Sequence, residues 1–398
     1  MHSLTLIITE KCNSQCKYCY ESNKRAQGLK RDMVLDDFIT GFSKILKYVG
    51  VIGTIQFFGG EATLKVDLIK QIDEYLDKVV EAKIYKKKPT YAFSINLLEL
   101  PDSFKKLLKK LQEGGHDFYI STSIDGDQKI HDANRLAKGI DSPYLRIVKN
   151  YKTLKSMGID LKAITCVFNQ VHLERNISIL DNILHLSKEF QPERITVLSA
   201  QKSPGLEVEL SYFYQLYLDA VHSAFNKIIC KKPDYKFVGP FLKGIVFKWI
   251  YLEDKDVAFY ACPTKIRDFT IFPQGGLSNC PDEFYQGFDY KINVYDENFQ
   301  DEIHNFIDMN KHNLYKDHLR IQCKECKIKK LCTYCPHYSE LYETFCKFNI
   351  SLVHNVFEKI NILIENGEYE FFADLLGLKD YEKRKLIEIF NKYKKDVI

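Results

Sequence analysis

Three cysteines, Cys12, Cys16 and Cys19, stand at C-x3-C-x2-C spacing directly behind the apolar run Leu4–Ile8, which reads as a short buried strand. Thiols this close in sequence can wrap one metal group within a single loop, so the chain after the first strand must fold around that group. A four-iron, four-sulfur cluster held by three cysteines keeps one iron free for another ligand. A structural zinc site calls for four ligands, so a triplet alone fits zinc poorly. Three unrelated thiols are the remaining alternative.

The other cysteines sharpen the point. The chain holds twelve; seven lie between Cys262 and Cys346, and only Cys166 and Cys230 stand apart. The apolar start has no basic region before it and no small-residue cleavage site, so it does not read as a signal peptide. No apolar stretch approaches the roughly 18 residues that span a bilayer. These features place the protein in the cytoplasm, where thiols stay reduced and clustered cysteines signal metal or redox chemistry. Fifty-seven basic against fifty-three acidic residues leave a net charge of +4. That is too diffuse for a nucleic-acid footprint, and neither nucleic acid nor membrane is expected as a partner. Lys86-Lys87-Lys88 reads as a solvated turn.

Periodicity gives the fold class. Apolar runs at Leu4–Ile8, Thr54–Phe58, Tyr91–Ile95, Phe118–Ser123, Leu161–Phe168 and Arg194–Leu198 read as strands. Helical spacing falls between them, at Val34–Tyr48, Val66–Val80, Ser103–Leu111, Pro143–Met157 and Leu173–Phe190. Strands alternating with amphipathic helices imply βαβ units and a parallel sheet. Six units are too few for an eight-fold barrel, so the expectation is an α/β, open, partial (β/α)6 barrel over residues 1–200. Chemistry is expected at the carboxyl ends of its strands. Residues 201–260 read as a helical bridge, with stretches at Leu210–Ile229 and Phe237–Tyr251. Residues 261–346 form a cysteine-rich domain, and 347–398 a helical tail that packs as a cap or serves as a docking surface.

Candidate groups fall at those strand ends. Gly59-Gly60-Glu61 follows the second strand; glycines admit close backbone approach to a ligand, and Glu61 is able to accept hydrogen bonds from a cationic amine. Ser94 and Asn96 end the third strand. Ser123, Asp125 and Gly126 end the fourth, ahead of His131, Asp132 and Arg135. Over residues 4–200 the triplet, with the aromatic Tyr20 behind Cys19, resembles the signature of the radical S-adenosylmethionine superfamily, and Gly59-Gly60-Glu61 its GGE motif. The resemblance implies a cluster on Cys12, Cys16 and Cys19 whose free iron binds the amino and carboxylate groups of S-adenosyl-L-methionine. One electron then cleaves the sulfonium to methionine and a 5′-deoxyadenosyl radical, chemistry that belongs to the cofactor. It also implies cofactor contacts from Tyr20, Gly59, Gly60, Glu61, Ser94, Asn96, Ser123, Asp125 and Arg135, the arginine suiting a carboxylate. Leu198, after Val197, would flank the adenine.

The second cysteine set resembles the SPASM extension of that superfamily, with two auxiliary [4Fe–4S] clusters and so three in all. Read from the two C-x2-C pairs alone, a zinc ribbon is the rival. The resemblance assigns Cys323, Cys326, Cys332 and Cys346 to an outer cluster and Cys262, Cys280 and Cys335 to an inner one. The last pair departs from the pattern: Cys332 and Cys335 are separated by two residues where three are usual. The inner cluster then keeps an open iron, or takes Asp268 or Cys230. Asp282, and less so Glu283, follow Cys280 where a general base acts in similar enzymes. The implied function is an oxidoreductase maturing a ribosomally made precursor peptide by hydrogen abstraction and side-chain cross-linking, through a C–C, C–O or thioether bond. The alternative is an anaerobic sulfatase maturase forming formylglycine, against which Arg267-Asp268 stands where that group has a further cysteine. A non-catalytic metal-binding adaptor is the alternative of another class. Expected partners are the peptide, a flavodoxin- or ferredoxin-type electron donor and, because Cys12 lies so near the start, a separate leader-binding protein unless the body or the tail after Cys346 takes that role.

Overall fold

The computed structural model describes residues 2–19, 21, 28, 30–200, 203–253, 268–278, 292–305, 326–329, 331–332 and 342–397. Tyr20, Cys262, Arg267, Cys280, Asp282, Glu283, Cys323 and Cys335 lie outside the described residues. By internal contacts the chain divides into two units. The first comprises residues 1–123, 132–161 and 264–311; the second, 124–131, 162–263 and 312–398.

All six expected strands are present: β1 (His2–Thr9), β2 (Ile52–Gly59), β3 (Thr90–Ile95), β4 (Phe118–Ser123), β5 (Leu161–Phe168) and β6 (Arg194–Ser199). Three more follow: β7 (Asp268–Ile271), β8 (Gly276–Ser278) and β9 (Ile292–Asn293). In the first unit the strand order is β9-β8-β7-β1-β2-β3-β4. The β1–β2, β1–β7, β2–β3 and β3–β4 pairs are parallel, and β8 pairs antiparallel with both β7 and β9. β7 was not anticipated; four residues of Asp-Phe-Thr-Ile carry too short a pattern, and only its register on Ser3–Leu6 makes it a strand. In the second unit β5 and β6 pair in parallel.

Helices α1 (Leu35–Val49), α2 (Val66–Glu81), α3 (Asp102–Glu113) and α5 (Pro143–Ser156) match the helical spacing. Each buries one apolar stripe, such as Phe38, Phe42 and Ile45 of α1, as an amphipathic helix against a sheet must. Ring packing fills the first unit's core: Phe57 stacks on Phe93 at 5.2 Å, and Phe104 meets Phe93 edge-on. A short helix not foreseen, α4 (Gln128–Asn134), follows β4.

Two expectations need correction. Leu173–Phe190 is not one helix but α6 (Gln170–Glu174) and α7 (Ile179–Phe190). Asn176 takes a left-handed φ of 54°, which ends α6, and Ser178 caps α7 by accepting from the Asp181 N–H at 3.1 Å, the usual role of serine there. The last segment is three helices, α10 (Tyr342–Glu365), α11 (Tyr369–Leu375) and α12 (Asp380–Val397), separated at Gly367 and Gly377, both with positive φ. Lys86–Lys88 is a turn, but Lys88 is not solvated: its ammonium lies 2.7 Å from Asp73 and is only 15% exposed.

In the second unit α8 (Leu210–Ile229) packs on α10, and α9 (Gly239–Glu253) packs on β6 and α12. Tyr214 stacks on Phe348 at 4.0 Å. Trp249 is buried and donates its indole N–H to the Leu331 carbonyl at 3.1 Å. Phe357, Phe372 and Phe390 of the tail helices are buried too, so the tail contributes core rather than a free flank. Among the described residues no helix is long and apolar enough to cross a membrane.

Candidate functional site

Because β1 to β4 run parallel, the residues behind them gather at one edge of the first unit. The triplet loop leaves β1 there, held by two charged latches. Glu10, 1% exposed, takes Arg31 through both carboxylate oxygens, at 3.0 Å from Nε and 2.5 Å from Nη2, and also accepts the Arg31 N–H. Asp32 accepts from the Thr9 hydroxyl at 2.6 Å and pairs with Lys11 and Lys65. Burial raises the Asp32 pKa, but the bonds from Lys11, Lys65 and Thr9 outweigh it and bring it down to about 2. Neither latch was foreseen; the partners lie more than twenty residues apart and share no motif.

Gly59 and Gly60 admit a close approach of the chain's own loop. A Cβ on Gly60 would stand 2.1 Å from the Lys11 carbonyl oxygen, and one on Gly59, whose φ is 123°, 2.3 Å from that of Thr9. The close approach is therefore to the chain's own loop. Gly60 N–H donates to Thr9 at 2.8 Å and Glu61 N–H to Lys11 at 2.9 Å. The glycines seat the triplet loop on the end of β2.

Glu61 is 1% exposed. One carboxylate oxygen accepts from the Thr63 N–H (3.0 Å) and hydroxyl (2.6 Å); the other accepts from the Asn96 N–H at 2.7 Å. Burial pushes its pKa up, and these neutral donors do not offset it. Glu61 thus ties the end of β2 to the end of β3. Asn96 continues the tie. Its side-chain amide donates to Asn13 Oδ1 at 2.7 Å and lies 3.9 Å from Cys12 Sγ. Ser94 accepts from Gln56 at 2.8 Å, and Ser123 is half-buried at the end of β4.

Cys12, Cys16 and Cys19 are in no disulfide and are half-buried. Ser14 N–H points at Cys12 Sγ from 3.4 Å, the Ser14 hydroxyl lies 3.2 Å from Cys16 Sγ, and Arg135 Nη1 lies 3.7 Å from the same sulfur. Asn13 Nδ2 is buried and makes no hydrogen bond. Thiolates bound to iron are anions that gather N–H donors around them. Three thiols in one loop, with such donors beside Cys12 and Cys16, fit a [4Fe–4S] cluster. Among the described residues no group of three or more His, Cys, Asp or Glu is arranged around a single metal ion.

The remaining candidates, Asp268 apart, sit in the second unit. Asp125 is fully buried; its carboxylate accepts the Val167 N–H at 3.1 Å, and its carbonyl accepts from Cys166, His172 and Asn182. Gly126 is required here, because a Cβ would meet Asn182 Oδ1 at 2.6 Å. His131 is buried as well and accepts the Asp125 N–H through Nδ1. Leu198 is 48% exposed on β6. Cys326 and Cys332 bracket a short turn, with Cys332 N–H donating to Ile328 at 3.1 Å, and Cys346 lies half-buried on α10. Of the two residues considered as an eighth ligand, Asp268 opens β7 and Cys230 is exposed behind α8.

Residues 6–183 match the model of the Radical SAM superfamily. Uncharacterized protein MJ0907 of Methanocaldococcus jannaschii is 28% identical over 277 residues, covering 66% of this chain and 85% of the relative. The cysteine-type anaerobic sulfatase-maturating enzyme of Clostridium novyi is 25% identical over 358 residues, covering 83% and 87%. Among solved structures, native anSMEcpe with bound AdoMet and Cp18Cys peptide superposes with a TM-score of 0.64 at 15% identity, over 90% of this chain and 99% of that one. SuiB of Streptococcus suis bound to precursor peptide SuiA gives 0.56 at 15% identity, over 86% and 72%. Triplet, glycine seat and the ends of β1 to β4 thus stand within the segment that matches the Radical SAM superfamily model.

Proposed function

We propose that this chain is a radical SAM maturase that abstracts a hydrogen from a precursor peptide and closes an intramolecular side-chain cross-link. The observation that carries the enzymatic part is the triplet loop, with donors beside Cys12 and Cys16, seated on Gly59-Gly60. When bound there, a [4Fe–4S] cluster supplies the electron that cleaves S-adenosyl-L-methionine. The chain's own residues hold the site in place. Glu10–Arg31 and Asp32 fix the loop, Glu61 and Asn96 lock two strand ends behind it, and Ser94 and Ser123, at strand ends of the same unit, would flank the cofactor. The peptide substrate is supported by the likeness to folds that hold peptides, SuiB with SuiA and anSMEcpe with Cp18Cys. Two auxiliary clusters on Cys323, Cys326, Cys332 and Cys346 and on Cys262, Cys280 and Cys335 would take up the electron the substrate loses, with Asp282, or less readily Glu283, as base. A flavodoxin or ferredoxin would deliver the first electron, and the body of the chain, the tail after Cys346 or a separate leader-binding protein would present the peptide.

A second reading, formylglycine formation on a sulfatase, is favoured by the sequence likeness to the Clostridium novyi enzyme. The test is incubation of reconstituted enzyme with cysteine-containing sulfatase peptides and with short aromatic precursor peptides. A cross-linked product two mass units lighter from the precursor supports the first reading. An aldehyde on the sulfatase peptide, reactive to hydrazine, replaces it with the second.

A further inference from the structure

Arg135 suggests itself, from the sequence, as a clamp on the cofactor's carboxylate. Its position in the structure points elsewhere. Residues 15–16 and 135–136 form a two-stranded antiparallel ladder in which Cys16 and Arg135 are direct partners. The ladder is extended on both sides: Lys17 N–H donates to the Asn134 carbonyl at 3.0 Å, and the Ser14 hydroxyl to the Leu136 carbonyl at 3.2 Å. The triplet loop is thus bound in register to the segment behind α4. Arg135 Nη1 lies 3.7 Å from Cys16 Sγ, and its guanidinium carbon sits 5.3 Å from the centre of the Tyr18 ring. Tyr18 belongs to the same loop, so these two contacts hold the side chain over the triplet. On the far side, Asn96 Nδ2 lies 3.9 Å from Cys12 Sγ.

We infer that Arg135, assisted by Asn96, is a positioning residue for the iron–sulfur cluster itself, setting its reduction potential through the Cys16 sulfur. This rests on the reading of the triplet as a cluster site. Hydrogen bonds and positive charge at a cluster's sulfurs stabilise the reduced, more negative state, and so raise the potential. A fixed guanidinium supplies both, and unlike an ammonium it keeps its planar fork directed. Its position over the Tyr18 ring helps to hold that direction.

The experiment uses the full-length protein, reconstituted anaerobically, with potentiometric titration followed by electron paramagnetic resonance, first without and then with S-adenosylmethionine. The signal that changes shape on adding S-adenosylmethionine belongs to the triplet cluster and marks which midpoint to follow. In Arg135→Gln, with iron content equal to wild type, the midpoint of that signal is expected to fall already without S-adenosylmethionine. Arg135→Lys is expected to restore part of the loss, because charge returns without the fork. Asn96→Leu is expected to give a smaller drop of the same sign. An unchanged midpoint in cofactor-free Arg135→Gln, accompanied by weakened S-adenosylmethionine binding, would overturn the inference and return Arg135 to the carboxylate. A signal absent from wild type in both conditions would instead defeat the cluster reading on which it rests.

Discussion

Two buried carboxylates at opposite ends of the first unit's sheet are built in opposite ways. Asp73, on α2 at the amino end, is fully buried and receives Lys88 and Lys110 at 2.7 Å each and the Tyr91 hydroxyl at 3.0 Å. Burial raises its pKa, yet the bonds from Lys110 and Lys88 prevail and the net shift is downward. Glu61, at the carboxyl end, is equally buried but receives only neutral donors, and its pKa is raised. The first arrangement neutralises its charge locally and serves stability. The second leaves a poorly compensated carboxylate beside the triplet loop, a cost of the kind that accumulates where a fold also serves chemistry.

The contrast is broken most severely at Gly60. A Cβ 2.1 Å from a backbone oxygen cannot be relieved by a side-chain rotation, so Gly60→Ala is expected to displace the triplet loop. Reconstituted protein should lose about four irons per chain, one cluster's worth, while the amino end stays folded by circular dichroism. Next in size is Asp73→Ala, which strands Lys88 and should cost about 3 kcal/mol in denaturant unfolding, as breaking a buried pair does. Iron content should be unchanged. Glu61→Gln follows: the new amide brings a donor against the donors of Thr63 or Asn96, and should cost about 1–2 kcal/mol together with some iron.

Acid titration sharpens the comparison, because the two signs differ. The Asp73 pKa is depressed on folding, so its contribution is present above the ordinary carboxylate value of about 4 and is lost as pH falls through the folded value. The destabilisation by Asp73→Asn should shrink on acidification. Glu61 is raised, so its ionised form costs stability above that same ordinary value, and protonation removes the cost. The destabilisation by Glu61→Gln should therefore grow on acidification. Smallest of all is Asp117→Asn. It removes a surface pair with Lys87, in which the two side chains are 62% and 69% exposed, and should change stability by under about 1 kcal/mol.

The amino end shows how much the sequence conceals. Lys88 sits in a run of three lysines that reads as solvent-facing, and nothing local marks it as the partner of Asp73, fifteen residues earlier on a helix. The strands were legible because each is a self-contained apolar run, and the triplet and Gly59-Gly60-Glu61 because their spacing is local. What Gly60 approaches was not legible, since it depends on the register of β1 against β2. The Cys16–Arg135 ladder was hidden for the same reason, with 119 positions between partners. The expected cofactor contacts of Glu61 and Asp125 followed from their position at strand ends. Only the structure shows both side chains occupied by backbone donors.

The most direct measurement is iron and sulfide content after anaerobic reconstitution, coupled to a dithionite-driven assay for 5′-deoxyadenosine. The account predicts about twelve irons per chain, three four-iron clusters, with 5′-deoxyadenosine formed and both reduced by Gly60→Ala. Zinc in place of iron, with no cleavage of S-adenosylmethionine, would contradict it and leave a metal-binding adaptor in its place.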